Sequence, residues 1–270
     1  MDYGLSTATY LALTMPRPML LEGEPGVGKT ELARTAARVL GRRLIRLQCY
    51  EGIDAAQALY EWDYPRQLLS ARLAAEEPEA SNIVVKDLYG EEFLIDRPLL
   101  TAIRLGSGAV LLIDELDRAD DQFEAFLLEL LSEYAVTIPE YGTVSASSPP
   151  FVVLTSNRTR ELHEALKRRC LYHWIEFPEH HALVQIIRLR LPDISDRLSE
   201  SVATTIERVR ELDLIEMPGS AEAIDWTSAL ALLGADAVTS EAARATLGLA
   251  IKNADDLGLV SRELDRLLNV

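Results

Sequence analysis

The sequence predicts an α/β fold built on a parallel sheet, followed by an all-helical part. Three observations carry that prediction. Residues 109–113 and 151–154 are continuous apolar, β-rich runs without polar alternation, as in strands buried on both faces. A glycine-rich loop separates the apolar run 19–21 from a segment with helical periodicity, and the strand signal vanishes beyond Pro178. A chain of 270 residues, at roughly 150 per domain, has room for two such parts.

In chain order, Met19, Leu20 and Leu21 form the first strand, and residues 31–40 place Leu32, Ala36, Val39 and Leu40 at helical spacing. Residues 44–47 give the second strand. Residues 54–75 read as helix in two pieces broken at Pro65, after which Ile83, Val84 and Val85 pair with Phe93, Leu94 and Ile95 across Tyr89, Gly90 and Glu91. Helices at 123–131 and 162–166 accompany the strands at 109–113 and 151–154. A hairpin pairs Val136, Thr137 and Ile138 with Thr143, Val144 and Ser145, turning through residues 139–142. Beyond Pro178, helical periodicity fills 179–190, 199–211, 221–233, 241–250 and 259–268, separated by Pro192, by Pro218 and Gly219, and by residues 237–239. The boundary between an α/β domain (1–178) and a helical domain (179–270) is therefore expected near residue 178.

Charge and cysteine usage narrow the function classes. The 27 basic residues against 43 acidic ones leave a formal charge of −16, which repels polyphosphate backbones and argues against generic nucleic-acid binding. Two cysteines, Cys49 and Cys170, build neither a disulfide framework nor a multi-cysteine zinc site, and both read as small apolar fillers in a reducing compartment. No apolar run approaches the roughly 20 residues of a membrane helix, and Met1, Asp2 and Tyr3 lack the pattern of a signal peptide. A soluble, cytoplasmic protein with no membrane partner is expected.

The chemistry concentrates at two places. Gly23, Glu24, Pro25, Gly26, Val27, Gly28, Lys29 and Thr30 follow the pattern of a glycine, four residues, then Gly-Lys-Thr between strand and helix. With Glu31 they form the expected cofactor-binding segment. Glycines let backbone amides converge on phosphate oxygens, Lys29 reaches the outer phosphates, and the Thr30 hydroxyl can ligate Mg2+. A dinucleotide fingerprint is the other glycine-rich option, but Gly-Lys-Thr at the helix start favours a triphosphate such as ATP. At the second place, Asp114 and Glu115 end the 109–113 strand, where open α/β sheets bind ligands. Asp114 is the expected metal ligand beside Thr30, and Glu115 the expected base. With Asp117, the pair can also be read as an acidic helix start.

Together these motifs resemble the Walker A and Walker B elements of AAA+ ATPases. Asn157, past the 151–154 strand, resembles that superfamily's sensor 1, which positions water and the γ-phosphate, and Lys167, Arg168, Arg169 and Cys170 resemble its arginine-finger segment, with Arg169 at the finger position. An insertion at about 50–98 and a hairpin at about 135–146 make the chain similar to the MoxR-type, helix-2-insert clade. Asp114, Glu115, Leu116, Asp117, Arg118 and Ala119 match its Walker B extension; residues 49–52, 60–69 and 167–173 look like the CoxD branch. The resemblance implies an AAA+ α/β domain with a helical lid, and a homo-oligomeric ring, usually a hexamer, with ATP between subunits and Arg169 serving the neighbour. It further implies a protein client, a von Willebrand factor A domain partner, and maturation of the molybdenum-copper site of carbon monoxide dehydrogenase. A magnesium-chelatase-like subunit, a DNA-dependent AAA+ motor and an ATP-binding switch without hydrolysis are the alternatives. One departure stands out. Where many relatives carry a sensor 2 arginine, this chain has Ser220, Ala221, Glu222 and Ala223, leaving Arg188 and Arg190 as candidates by charge alone. Tyr60, Trp62 and Tyr64 are either anchors for a client or packing between the insert and the core. Trp174 and Trp226 read as core or lid anchors.

Overall fold

The computed structural model describes residues 3–76 and 88–268. By its contacts the chain divides into two units: Asp2–Glu22 with Thr30–Trp174, and Gly23–Lys29 with Ile175–Val270.

The first unit is organised by a parallel sheet. Its strands are β1 (Met19–Gly23), β2 (Arg43–Gln48), β5 (Ala109–Asp114), β8 (Phe151–Ser156) and β9 (Leu171–Ile175), in the order β2-β5-β8-β1-β9. Every residue of β1, β5 and β8 is buried, which accounts for the unbroken apolar runs. The registers Leu20↔Leu154, Leu112↔Val153 and Leu47↔Ile113 hold four of these strands parallel. Around them lie α1 (Tyr3–Thr14), α2 (Lys29–Leu40), α5 (Pro98–Leu105), α6 (Asp121–Glu133) and α7 (Glu164–Arg169). Leu20, Ile45, Leu99, Ile103, Leu111, Ile113, Phe123, Leu127 and Leu154 share one core. Each such side chain contributes about 1.5–3 kcal/mol by leaving water.

Several expectations need correction. The buried face of α2 is Ala33, Ala36 and Ala37, whereas Val39 is 77% exposed, because the helix packs through small residues. The 54–75 segment is not broken at Pro65. It forms α3 (Ala55–Leu59), a short strand β3 (Tyr60–Trp62) and α4 (Tyr64–Glu76). Pro65 falls in the first turn of α4, where its missing N–H costs nothing. β4 (Leu94–Asp96) pairs antiparallel with β3, Glu61 opposite Ile95, a pairing that the sequence did not suggest. Ile83, Val84 and Val85 lie outside the described residues. The expected hairpin of β6 (Ala135–Ile138) and β7 (Gly142–Ser145) does form, with Thr137 opposite Thr143 and Ile138 opposite Gly142, so Gly142 belongs to the strand and not to the turn.

The second unit carries α8 (His180–Arg190), α9 (Asp196–Arg210), α10 (Ser220–Leu232), α11 (Ser240–Ala250) and α12 (Ala254–Leu268). Leu183, Ile187, Val202, Ile206, Leu230, Leu247 and Leu264 share one core with a fully buried Trp226, whose indole Nε1–H donates to Thr246 Oγ1 at 2.8 Å. Helix α9 starts three residues before the expected point because Ser195 caps it, accepting from the Leu198 N–H at 3.1 Å. Among the described residues, no helix is long and apolar enough to cross a membrane.

Candidate functional site

The Gly23–Lys29 loop is shaped by its glycines. Gly26 has φ +77°, and a Cβ there would come within 2.9 Å of Glu222 Oε2 and 3.0 Å of Gly219 Cα. A Cβ on Gly23 would lie 2.3 Å from the Ile175 carbonyl oxygen, so backbone approaches too closely for any side chain. Lys29, 7% exposed, donates from Nζ to the Gly23 and Glu24 carbonyls at 2.7 Å each. Glu24, Pro25 and Gly28 are exposed, and Val27 is buried. A cavity of about 220 Å³ lies beside Glu24 and Pro25, with Met217, Pro218, Glu222 and Lys252 among its walls.

Thr30 and Asp114, the expected metal pair, meet in the first unit. Thr30 Oγ1 donates to Asp114 Oδ1 at 3.1 Å, and Thr155 Oγ1 donates to the same oxygen at 2.6 Å. The other carboxylate oxygen takes both Nε and Nη2 of Arg46, at 3.0 and 2.7 Å. Asp114 is 3% exposed, so a charge that would be costly alone is matched by a cation and two hydroxyls. Glu115 follows in a left-handed backbone conformation, φ 55° and ψ 50°, and its N–H donates to Thr155 Oγ1 at 2.9 Å. Thr155 thereby ties both acids together. The Glu115 carboxylate is one-third exposed and meets Arg118 Nε at 2.9 Å. Cys49 lies next to this charge: burial, then Asp114, Asp117 and Glu115, push its thiol up to about 12. Burial pushes Cys170 up to about 12 as well, so neither thiol is a nucleophile at neutral pH.

Asn157 is placed by Asp117, to which sequence reasoning assigned no role of its own within the acidic run that follows the 109–113 strand. Asp117, 3% exposed, accepts from the Asn157 N–H at 3.2 Å and from the Thr159 N–H and hydroxyl at 2.9 and 2.6 Å. Burial alone would raise its pKa, but these hydrogen bonds outweigh it and hold the carboxyl below its ordinary value. Downstream, Arg168 is tied to Glu164, Nη2 to Oε1 at 2.6 Å, whereas Arg169 is exposed and has no hydrogen-bond or ion-pair partner among the described residues. Glu31, at the start of α2, lies 3.8 Å from Arg38.

The unusual Glu222 has a structural role. It stands at the third position of α10, accepts from the Gly219 N–H at 2.9 Å, and lies against Gly26 of the loop. Ser220 N–H donates to the Gly26 carbonyl at 3.0 Å. Arg188 is occupied by Ser199, Asp196 and Glu200. The basic group beside this turn is Arg210, which sequence reasoning missed. Its Nε donates to the Pro218 carbonyl at 2.8 Å, and its guanidinium stacks 4.4 Å from the Phe177 ring centroid. Burial lowers its pKa to about 10, partly offset by Glu207 and Glu222. Neither Arg46 nor Arg210 carries a motif signal; only the fold brings them to these acids.

Of the aromatic trio, Trp62 is buried and meets Tyr60 and Tyr89 edge to face, while Tyr64 is exposed. The Trp174 ring meets the residue next to Asn157, its centroid 5.7 Å from the Arg158 guanidinium.

A family model described as AAA domain (dynein-related subfamily) matches residues 18–170. The chain is similar to midasin of Giardia intestinalis, 33% identical over 139 residues that make up 51% of this chain and 2% of midasin. It is also similar to protein NorQ of Paracoccus denitrificans, 26% identical over 177 residues, 63% of this chain and 56% of that protein. The matches thus span less than two thirds of either relative. Among solved structures, the RuvB Holliday junction branch migration motor of Thermotoga maritima superposes with a TM-score of 0.51 at 21% identity, over 98% of this chain and 74% of that one. That likeness shows the fold, a P-loop AAA+ core with a helical C-terminal part.

Proposed function

This chain belongs to the AAA domain family, dynein-related subfamily, and from that premise we propose that it hydrolyses ATP to remodel or mature a protein client. The observation that carries the proposal is the meeting of Thr30 and Asp114 at 3.1 Å, with Glu115 the next residue. In this reading Gly23–Lys29 and Thr30 bind the triphosphate, Glu31 continues the helix behind them, and the cavity beside Glu24 and Pro25 takes the nucleoside end. Glu115 orients and deprotonates the attacking water, Asn157 positions it, and Arg169 acts on the nucleotide of a neighbouring subunit.

The donor set suits magnesium. Among the described residues no cluster of three or more His, Cys, Asp or Glu side chains could cage a metal. Thr30 and Asp114 instead offer two hard oxygens, as expected for an ion that keeps waters and phosphate oxygens as its other ligands. When bound, magnesium would neutralise phosphate charge. Asp114 keeps its carboxylate available through Thr155, Arg46 balances its charge, and Arg118 restrains Glu115.

The resemblance to MoxR-type proteins supports a maturation role over a nucleic-acid motor, and the charge of −16 points the same way. The proposed assembly is a homo-oligomeric ring, a hexamer, working with a von Willebrand factor A domain protein. The proposed client is a metal-cofactor enzyme of the carbon monoxide dehydrogenase kind, as in the CoxD branch. The test is Glu115→Gln: ATP binding should persist while turnover falls by about 10²–10⁴, the usual worth of a positioned base. A variant that loses binding and turnover together would make Glu115 a ligand instead. The trapped ATP state is also the bait for recovering the client, and stimulation of turnover by DNA would overturn the maturation reading.

A further inference from the structure

We infer that Glu124 is a positioning residue for the arginine finger, an assignment that rests on the trans-acting reading of Arg169 given above. Glu124 sits in the first turn of α6 and is 1% exposed, yet both carboxylate oxygens point out of its own helix into the chain that leads to α7. Oε1 takes Nη2 of Arg160, and Oε2 accepts from the His163 N–H at 2.7 Å. Arg160 is fixed in turn by the Ala119 carbonyl at 2.7 Å and by Asp121 Oδ1 at 3.0 Å.

His163 is the N-cap of α7, and its carbonyl accepts from Leu166 and Lys167 at 3.0 and 3.2 Å. A helix of six residues does not hold its own direction in water. The direction of α7 is therefore set by its anchors, which are the buried Leu166 and Cys170 side chains and, at its start, the Glu124 carboxylate. Arg169, at the far end, has no partner of its own among the described residues. Whatever places its backbone therefore sets the space that its guanidinium can reach. A buried ion pair contributes little net stability compared with an apolar pair of similar size, so packing alone gives no reason for a charge here. Two directed bonds into residues 160–163 do give one.

Asp117 clamps the start of the same loop, at Asn157 and Thr159, whereas Glu124 clamps its end. The two acids therefore separate by the subunit they serve: Asp117 acts on the nucleotide of its own subunit, and Glu124, through Arg169, on that of the neighbour.

Mixed assemblies test this directly. Glu124→Gln should bind ATP within about twofold of wild type and lose about 10- to 100-fold in turnover, the scale of a misplacement of about 1 Å. Mixed with Glu115→Gln subunits it should regain turnover, because an interface then pairs an intact Glu115 with a well-aimed Arg169. Mixed with Arg169→Ala it should regain none, because no subunit offers a working finger. The opposite pattern, rescue by Arg169→Ala and not by Glu115→Gln, would place Glu124 in the service of its own nucleotide and overturn the assignment. Rescue by neither, with co-assembly shown by native mass spectrometry, would also overturn it, as would an unchanged turnover. Should Glu124→Gln fail to fold, Arg160→Gln, which removes the partly exposed arm of the same clamp, must give the same pattern. The control is Arg169→Ala mixed with Glu115→Gln. Rescue there with the wrong pattern for Glu124 sinks this assignment alone, and no rescue there removes the trans finger and the assignment with it.

Discussion

Asp117→Asn is a perturbation whose cost can be worked from the structure. The carboxylate is 3% exposed and accepts hydrogen bonds of 2.6, 2.9 and 3.2 Å from Thr159 and Asn157. Hydrogen bonds to a charged acceptor are worth about 1.5–3 kcal/mol each. An amide keeps one oxygen and turns the other acceptor into an NH2 facing an N–H donor, so at least one bond is lost and the rest are weakened. We expect a loss of about 2–4 kcal/mol at pH 7, read as a lower urea midpoint. The pH dependence gives a second check. The folded carboxyl is held below its ordinary value of 3.8, so its stabilising contribution is complete above the unfolded value, about pH 4, and is lost as pH falls through the folded value. The stability gap between wild type and variant should hold constant from pH 7 to about pH 5 and shrink below about pH 4. A gap under about 0.5 kcal/mol at pH 7, within the range of an ordinary surface change, would refute the accounting. So would a gap that ignores acid.

Three further outcomes are expected. Lys29→Ala should weaken ATP binding by at least about 10²-fold by calorimetry, since backbone amides alone cannot balance the outer phosphates; unchanged affinity would disprove the phosphate site. Arg169→Ala should leave nucleotide affinity nearly intact and cut turnover by about 10³–10⁵ in a steady-state ATPase assay, while Arg168→Ala costs less because Arg168 is already committed to Glu164 at 2.6 Å. Cys49 and Cys170, both pushed by burial to about 12, should resist alkylation at pH 8 in the native protein and react at the rate of ordinary thiols in urea. Since both values stand above the unfolded one, the stability they confer is complete below about pH 9 and declines as pH climbs toward 12.

What the sequence made legible was whatever repeats locally. The strands β1, β5 and β8 announce themselves because residues buried on both faces must all be apolar, and the glycine loop because a phosphate cradle needs left-handed backbone at fixed spacing. Strand β9 gave no such signal: Leu171, Tyr172, His173, Trp174 and Ile175 are only partly buried at the sheet edge, and Tyr172 is 51% exposed. Helix α1 was missed for a related reason, since it buries little beyond Ala12 and so needs no amphipathic pattern. The misread insert shows a tertiary effect. Tyr60, Glu61 and Trp62 have no strand pattern of useful length, and they extend because Leu94, Ile95 and Asp96 lie opposite.

The site divides in the same way. Lys29, Thr30, Asp114 and Glu115 were readable because each stands at a short, fixed distance along the chain from glycines or from a buried strand. Arg46, Thr155 and Glu124 were not, because the residues they hold are 68, 41 and 39 positions away. These long-range partners share one physical task. Asp114, Asp117 and Glu124 are each 3% exposed or less, and an unbalanced carboxylate at that depth would take up a proton or force the fold open. Each is matched differently: Asp114 by a guanidinium and two hydroxyls, Asp117 by N–H groups and a hydroxyl, Glu124 by an arginine and one N–H. The match determines the use. A carboxylate balanced by a half-exposed arginine can exchange that partner for another cation, as the metal role proposed for Asp114 requires. One balanced by backbone N–H groups cannot let go without unfolding the loop it holds, which suits it to fixing the position of Asn157.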